Sequence, residues 1–177
     1  MAEALAGALA GDEEGFRVLY RSMQPILLRY LSVLVGSDAA DVASESWLQI
    51  CRDLQRFSGD IQGFRAWSMT VARHRAMDHV RRMRRRPQTV DDEHYLTSLA
   101  ASADTAAEVT EGIATAEVLR LVASLPRDQA EAVLLRAVAG LDVASAAKVL
   151  GKRPGAVRSA AHRGLKRLAE IMESPHG

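Results

Sequence analysis

Three carboxylates, Asp38, Asp41 and Glu45, are spaced three and four residues apart, so on a helix they share one face. Hard oxygen ligands in that pattern could hold magnesium for phosphodiester hydrolysis. A metal-dependent nuclease would need a second carboxylate or histidine cluster on a neighbouring segment, and none accompanies them. The five histidines are scattered, and the single cysteine, Cys51, excludes a disulfide framework and a cysteine-rich zinc site. Neither a nucleophile elbow nor a phosphate-cradling glycine loop occurs. No catalytic group, metal or cofactor is therefore expected, and the acidic face reads as a solvated one.

Arginine carries the stronger signal. Residues 65–86 hold eight arginines against one acid, Asp78, and five of the six positions 81–86 are arginine. A helix end can favour one or two cations through its dipole, but five exceed that explanation. Residues 148–167 hold seven lysines and arginines and no acid, whereas residues 87–119 have neither lysine nor arginine and seven acids. The formal net charge of +1 hides this sorting. Two basic helical regions on an acidic tether predict two separate contacts with a polyanion.

The elements that must position these charges are helices. Asp12 starts one whose apolar stripe runs through Phe16, Leu19, Tyr20, Met23, Leu27, Tyr30, Leu31 and Leu34, with a kink or break expected at Pro25 and an end at Gly36. A second spans about 38–56 and buries Ala43, Trp47, Ile50, Cys51 and Leu54. Residues 57–63 read as a loop. A third helix starts at Phe64, with Trp67, Val71 and Val80 inward, and ends in the arginine run. Residues 88–112, rich in Ser, Thr, Ala and acids, read as a flexible linker. Beyond it, Val118, Leu121, Val122 and Leu125 suit a short helix. Pro126 opens the next, with Ala130, Val133, Leu134, Ala137 and Val138 buried. Asp142 then caps a short helix (Val143, Ala146, Ala147 and Leu150 inside), Gly151 takes a left-handed turn, and Pro154 opens a helix with Val157, Ala161, Leu165 and Leu168 inward. That is a helix-turn-helix, and a basic outer face on its second helix fits the major groove. The fold class is all-α, with two small helical domains at 1–87 and 113–177.

No apolar run is long enough to span a bilayer, and Ala8-Leu9-Ala10 lacks the basic flank of a leader, so a soluble cytoplasmic chain without membrane insertion is expected. A stand-alone helix-turn-helix repressor is the rival reading; it would normally dimerise to match half-sites.

Residues 125–135 (LPRDQAEAVLL), 139–143 (AGLDV), 149–159 (VLGKRPGAVRS) and 162–168 (HRGLKRL) resemble the promoter-binding C-terminal domain of extracytoplasmic-function sigma factors of the sigma-70 family. Residues 38–48 are similar to that family's polymerase-docking helix, and residues 64–67 and 71–82 to its minus-ten-reading helix. The resemblance covers residues 12–86 and 113–172. Ser44 stands where glutamine is usual, His74 where asparagine is usual, and Ala144-Ser145 where an acid pair is usual. Ala160-Ala161 replaces an Arg-Leu pair and implies a thinner core beneath the recognition helix.

The resemblance implies a factor, monomeric when free, that directs core RNA polymerase to promoter DNA and is restrained by a cognate anti-sigma protein. Polymerase docking falls to Asp38, Asp41, Ser44, Glu45 and Leu48. The minus-ten element falls to Phe57, Ser58, Asp60, Gln62, Arg65, Arg73, His74, Arg81 and Arg82, with the 57–62 loop cradling a flipped base. The minus-thirty-five element falls to Lys152, Arg153, Arg158, Ser159, His162, Arg163 and Lys166.

Overall fold

The computed structural model describes residues 1–85 and 108–173, and every regular element among them is helical. The chain opens with α1 (Ala2–Leu9), which the sequence reading did not assign. It docks through Leu5 and Ala8 onto α2 (Glu13–Val35) where Gly15 allows backbone contact: a Cβ there would lie 2.7 Å from the Ala4 carbonyl oxygen. Asp12 caps α2, its carboxylate accepting from the Glu14 and Gly15 amides. No break occurs at Pro25. Its ring lies on the exposed side, so the missing donor is lost where water can serve the freed carbonyl.

A 3-10 turn at Gly36–Asp38 leads into α3 (Ala39–Asp53), and a second one at Leu54–Arg56 ends it. Val42, Ala43, Trp47 and Ile50 face the core; Cys51, expected inside, is exposed. The following loop is shorter than expected. Asp60 accepts from the Gly63 amide at 2.7 Å, so Ile61, Gln62 and Gly63 already form the first turn of α4 (Ile61–Arg85).

In the second half α5 (Glu108–Ala123) begins inside the span assigned to the linker; the rest of that span, to residue 107, lies outside the described residues. Val118 of α5, expected inside, is exposed. Pro126 precedes α6 (Arg127–Val133), which runs into a π turn at Leu134–Val138. The wider turn changes the helical phase, so Leu135 is buried while Ala137, expected inside, faces out. Asp142 caps α7 (Val143–Leu150), accepting from the Ser145 amide at 2.6 Å, and Gly151 adopts φ 62°, ψ 34°. α8 (Pro154–Glu173) follows. It buries Val157, Ala160, Ala161 and Gly164 on α6, whereas Leu165, expected inside, is 54% exposed. The close approach explains the phase: a Cβ on Gly164 would sit 2.7 Å from Val133 Cγ2, so the backbone itself lines the crossing. The two halves share one connected core, α4 lying against α7 and α2 against α5.

Candidate nucleic-acid interface

α3 and α4 run side by side and are tied by three polar pairs. His79 Nε2 lies 2.8 Å from Asp38 Oδ2, Arg82 Nη2 lies 3.2 Å from Glu45 Oε2, and Arg75 Nε donates to Gln49 Oε1 at 2.8 Å. The carboxylates predicted to share a helix face therefore divide. Asp38 sits in the 3-10 turn before α3 and meets the His79 imidazole of α4, Glu45 meets the Arg82 guanidinium, and Asp41 projects to solvent. Ser44 is exposed and donates to the Ala40 carbonyl, and Leu48 is 67% exposed. Beneath Leu48's turn, Phe16 and Tyr20 pack on Trp47, whose indole N–H donates to Gln24 at 2.6 Å.

α4 carries the cations. Arg81, Arg82, Arg84 and Arg85 line its exposed last turns. A groove of about 530 Å³ opens beside them, lined by Gln49, Arg73, His74, Arg75, Asp78 and Arg81. Its cationic lining suits a phosphate backbone. At the other end of α4, Phe57 is not a free platform: it stacks against Phe64 and Trp67, ring centroids 5.7 and 5.2 Å away. Ser58, Asp60 and Gln62 beside it are exposed. Arg65 and Arg73, predicted for DNA, are half-buried, Arg65 near Gly140 and Arg73 against α6.

The partner of Arg73 is Glu131 of α6, a residue assigned no role from sequence. Its side chain is 4% exposed. It accepts from Tyr30 Oη of α2 at 3.1 Å and from Arg73 Nε of α4 at 2.8 Å, with Arg127 Nε 3.8 Å away. Arg127 also reaches Met77 Sδ on α4. Burial, then the negative field of Glu131, push the Tyr30 hydroxyl well above the usual tyrosine range. Burial opposes the Arg73 charge, but hydrogen bonding to Glu131 and its charge outweigh it, and the guanidinium pKa rises. The available signal was a lone acid within the apolar run from Ala130 to Leu135, since a carboxylate on a buried face requires a partner.

The outer face of α8 is open. Lys152 and Arg153 in the turn, then Arg158, Ser159, His162, Arg163 and Lys166, are all exposed. Arg163 lies 3.8 Å from Asp128. Asp142, which orients α7 beneath this helix, is held below the usual carboxylate range by the Ser145 amide. Among the described residues, no three His, Cys, Asp or Glu side chains gather in a way that could hold a metal ion, and no helix is long and apolar enough to cross a membrane.

Residues 19–86 match the family model described as Sigma-70 region 2, and residues 115–168 match Sigma-70, region 4. A stand-alone helix-turn-helix regulator would lack the first. The chain is 35% identical to the sigma factor SigF of Caulobacter vibrioides over 178 residues, covering all of this chain and 94% of that protein. It is 32% identical to the sigma factor BldN of Streptomyces coelicolor over 174 residues, covering 97% of this chain and 66% of the relative's length. The sigma factor RpoE of Bartonella quintana, solved in complex with the anti-sigma factor NepR, shares the fold with a TM-score of 0.65 at 18% identity, covering 91% of this chain and 98% of that one. Two matched regions in order, and a relative 35% identical over all of this chain and 94% of its own length, lead to one conclusion: the chain belongs to the extracytoplasmic-function family of RNA polymerase sigma factors.

Proposed function

We propose that this chain selects promoters for core RNA polymerase by gripping DNA at two places. The observation that carries the reading is the capped α7, left-handed Gly151 turn and α8, whose whole basic face is exposed. In this reading α8 lies in the major groove of the minus-thirty-five element. Arg153, Arg158 and Ser159 sit near base edges, and His162, Arg163, Lys166 and Lys152 near phosphates. Asp41, Ser44 and Leu48 meet the polymerase, with Asp38 and Glu45 joining them by exchanging their α4 partners, His79 and Arg82, for cations of the polymerase. Once released from that exchange, Arg82 joins Arg81, His74, Arg73 and Arg65 along the minus-ten duplex and its displaced strand.

The exposed loop around Ser58, Asp60 and Gln62 receives an extruded base, with the Phe57–Phe64–Trp67 stack as its floor. The factor does no bond chemistry; binding energy drives strand separation inside a cytoplasmic polymerase complex. The Bartonella relative is described with an anti-sigma factor, and a restraining protein of that kind is part of the proposal. The exposed apolar side chains Val118, Leu165 and Met172 on α5 and α8 offer it a surface.

The test adds purified chain to core RNA polymerase on total genomic DNA and maps transcript starts. New starts sharing two sequence blocks upstream are expected; no new start on any fragment refutes the reading.

A further inference from the structure

The basic face of α8 is met by an acid from another helix. Residues 148–167 contain no acid of their own, yet Asp128 of α6 places its carboxylate 3.8 Å from Arg163 Nη2. Backbone packing sets this pair. Gly164, the residue after Arg163, brings α8 so close to α6 that a Cβ there would lie 3.3 Å from the carbonyl oxygen of Gln129, the residue after Asp128. Among the described residues Lys152, Arg153 and Arg158 form no ion pair, and Lys166 pairs along its own helix, with Glu170 at 3.9 Å. The side chains of Asp128 and Arg163 are 43% and 58% exposed, and a pair so placed adds little to folding. Its consequence lies in binding.

We propose that Asp128 is a specificity-determining residue, anchoring Arg163 so that its guanidinium meets a phosphate in only one register of α8 on the duplex. The inference rests on reading α8 as the minus-thirty-five helix. A guanidinium carries five N–H donors, and those on Nη1 and Nε stay available while Nη2 faces Asp128. In the cognate register, fixed by base contacts from Arg153, Arg158 and Ser159, a phosphate meets these free donors with the pair intact. In any other register Arg163 must leave Asp128 to reach a phosphate, and the carboxylate competes with the phosphate for it. Sequence-independent binding rests on such phosphate contacts. Asp128 therefore weakens the grip on unrelated DNA more than the grip on the cognate element, and a phosphate contact comes to report register.

The test titrates holoenzyme, formed from core polymerase and the full chain, onto duplexes from its mapped starts and onto unrelated duplexes, over a range of salt. Asp128→Asn and Asp128→Ser both remove the carboxylate. Each is expected to steepen the salt slope on unrelated duplex by about one and to lower the ratio of cognate to unrelated affinity about threefold. Asp128→Glu is expected to stay near the parent in both readouts. In an Arg163→Ala background Asp128→Asn is expected to lose most of its effect, because the anchored group is gone. A parent-like slope and ratio in both carboxylate-free variants overturn the proposal. So does an effect of Asp128→Asn that persists undiminished beside Arg163→Ala, which would make Asp128 a general repulsive charge. A parent chain that gives core polymerase no new transcript start sinks the sigma reading itself, a result distinct from a working parent with an unchanged Asp128→Asn variant.

Discussion

A fully buried tyrosine hydroxyl that donates to a buried carboxylate stays protonated well past the ordinary tyrosine range. Below about pH 10 the hydroxyl is neutral in folded and unfolded chains alike, and its environment adds nothing to the pH dependence. Above that, the unfolded chain ionises first, so the parent loses stability as pH climbs toward the raised folded value. Tyr30→Phe should cost about 0.5–1.5 kcal/mol near neutral pH through the lost hydrogen bond, and that gap should narrow above pH 10. Thermal melts from pH 7 to 11.5 check both; parallel curves would detach Tyr30 from Glu131. On α8 the division of labour is testable side chain by side chain. Arg158→Ala should weaken binding to the cognate upstream duplex by about 1–3 kcal/mol and relax its sequence preference. Lys166→Ala should instead lower the salt slope by about one on every sequence. Titrations of holoenzyme on matched and mismatched duplexes at several salt concentrations separate the two.

Helix crossings place the functional faces, and two glycines on α8 predict opposite signs. Gly164→Ala drives a methyl to 2.7 Å from Val133 Cγ2, on a stiff β-branched side chain, and should destabilise the C-terminal module by about 1–3 kcal/mol. Gly155→Ala meets nothing within 4 Å and should stabilise it by about 0.4–1 kcal/mol through the unfolded chain. Denaturant midpoints decide, and a neutral Gly164→Ala would mean that α6 and α8 slide freely. Such crossings mark where sequence reading ran out. The stripe of α2 (apart from Tyr20, which is 38% exposed), the Asp12 and Asp142 caps and the Gly151 turn were legible because each is a local rule about spacing, donors or φ. The inward placement of Leu165 failed because Gly164 lets backbone rather than side chain line the contact. Ala137 failed because a π turn resets the phase, and α1 escaped notice because Gly15 hides its docking site. The exposed basic face of α8 was readable from its acid-free spacing of cations. The coverage of Arg73 was not, since only packing brings it to Glu131, 58 positions along the chain.

The molecule as a whole carries two modules whose cores merge into one cluster, and that arrangement has a thermodynamic consequence. The C-terminal module on its own is about as small as a self-sufficient fold becomes. Its core is rich in alanine, including Ala130, Ala132, Ala146, Ala147, Ala160 and Ala161, each of which buries little area. Contact with α2 and α4 therefore supplies a share of its stability, and Glu131 is the group that makes the contact specific. Removing the Glu131 carboxylate leaves Arg73 charged and unserved, which penalises the docked state more than either module alone. The parent chain should accordingly melt in a single transition, with calorimetric and van't Hoff enthalpies equal. Glu131→Gln should split that transition, the C-terminal module unfolding first and the N-terminal bundle near the parent temperature. Scanning calorimetry reads this directly. Two transitions already present in the parent would mean that the halves fold independently, and a single unshifted transition in the variant would mean that Glu131 contributes nothing to holding them together.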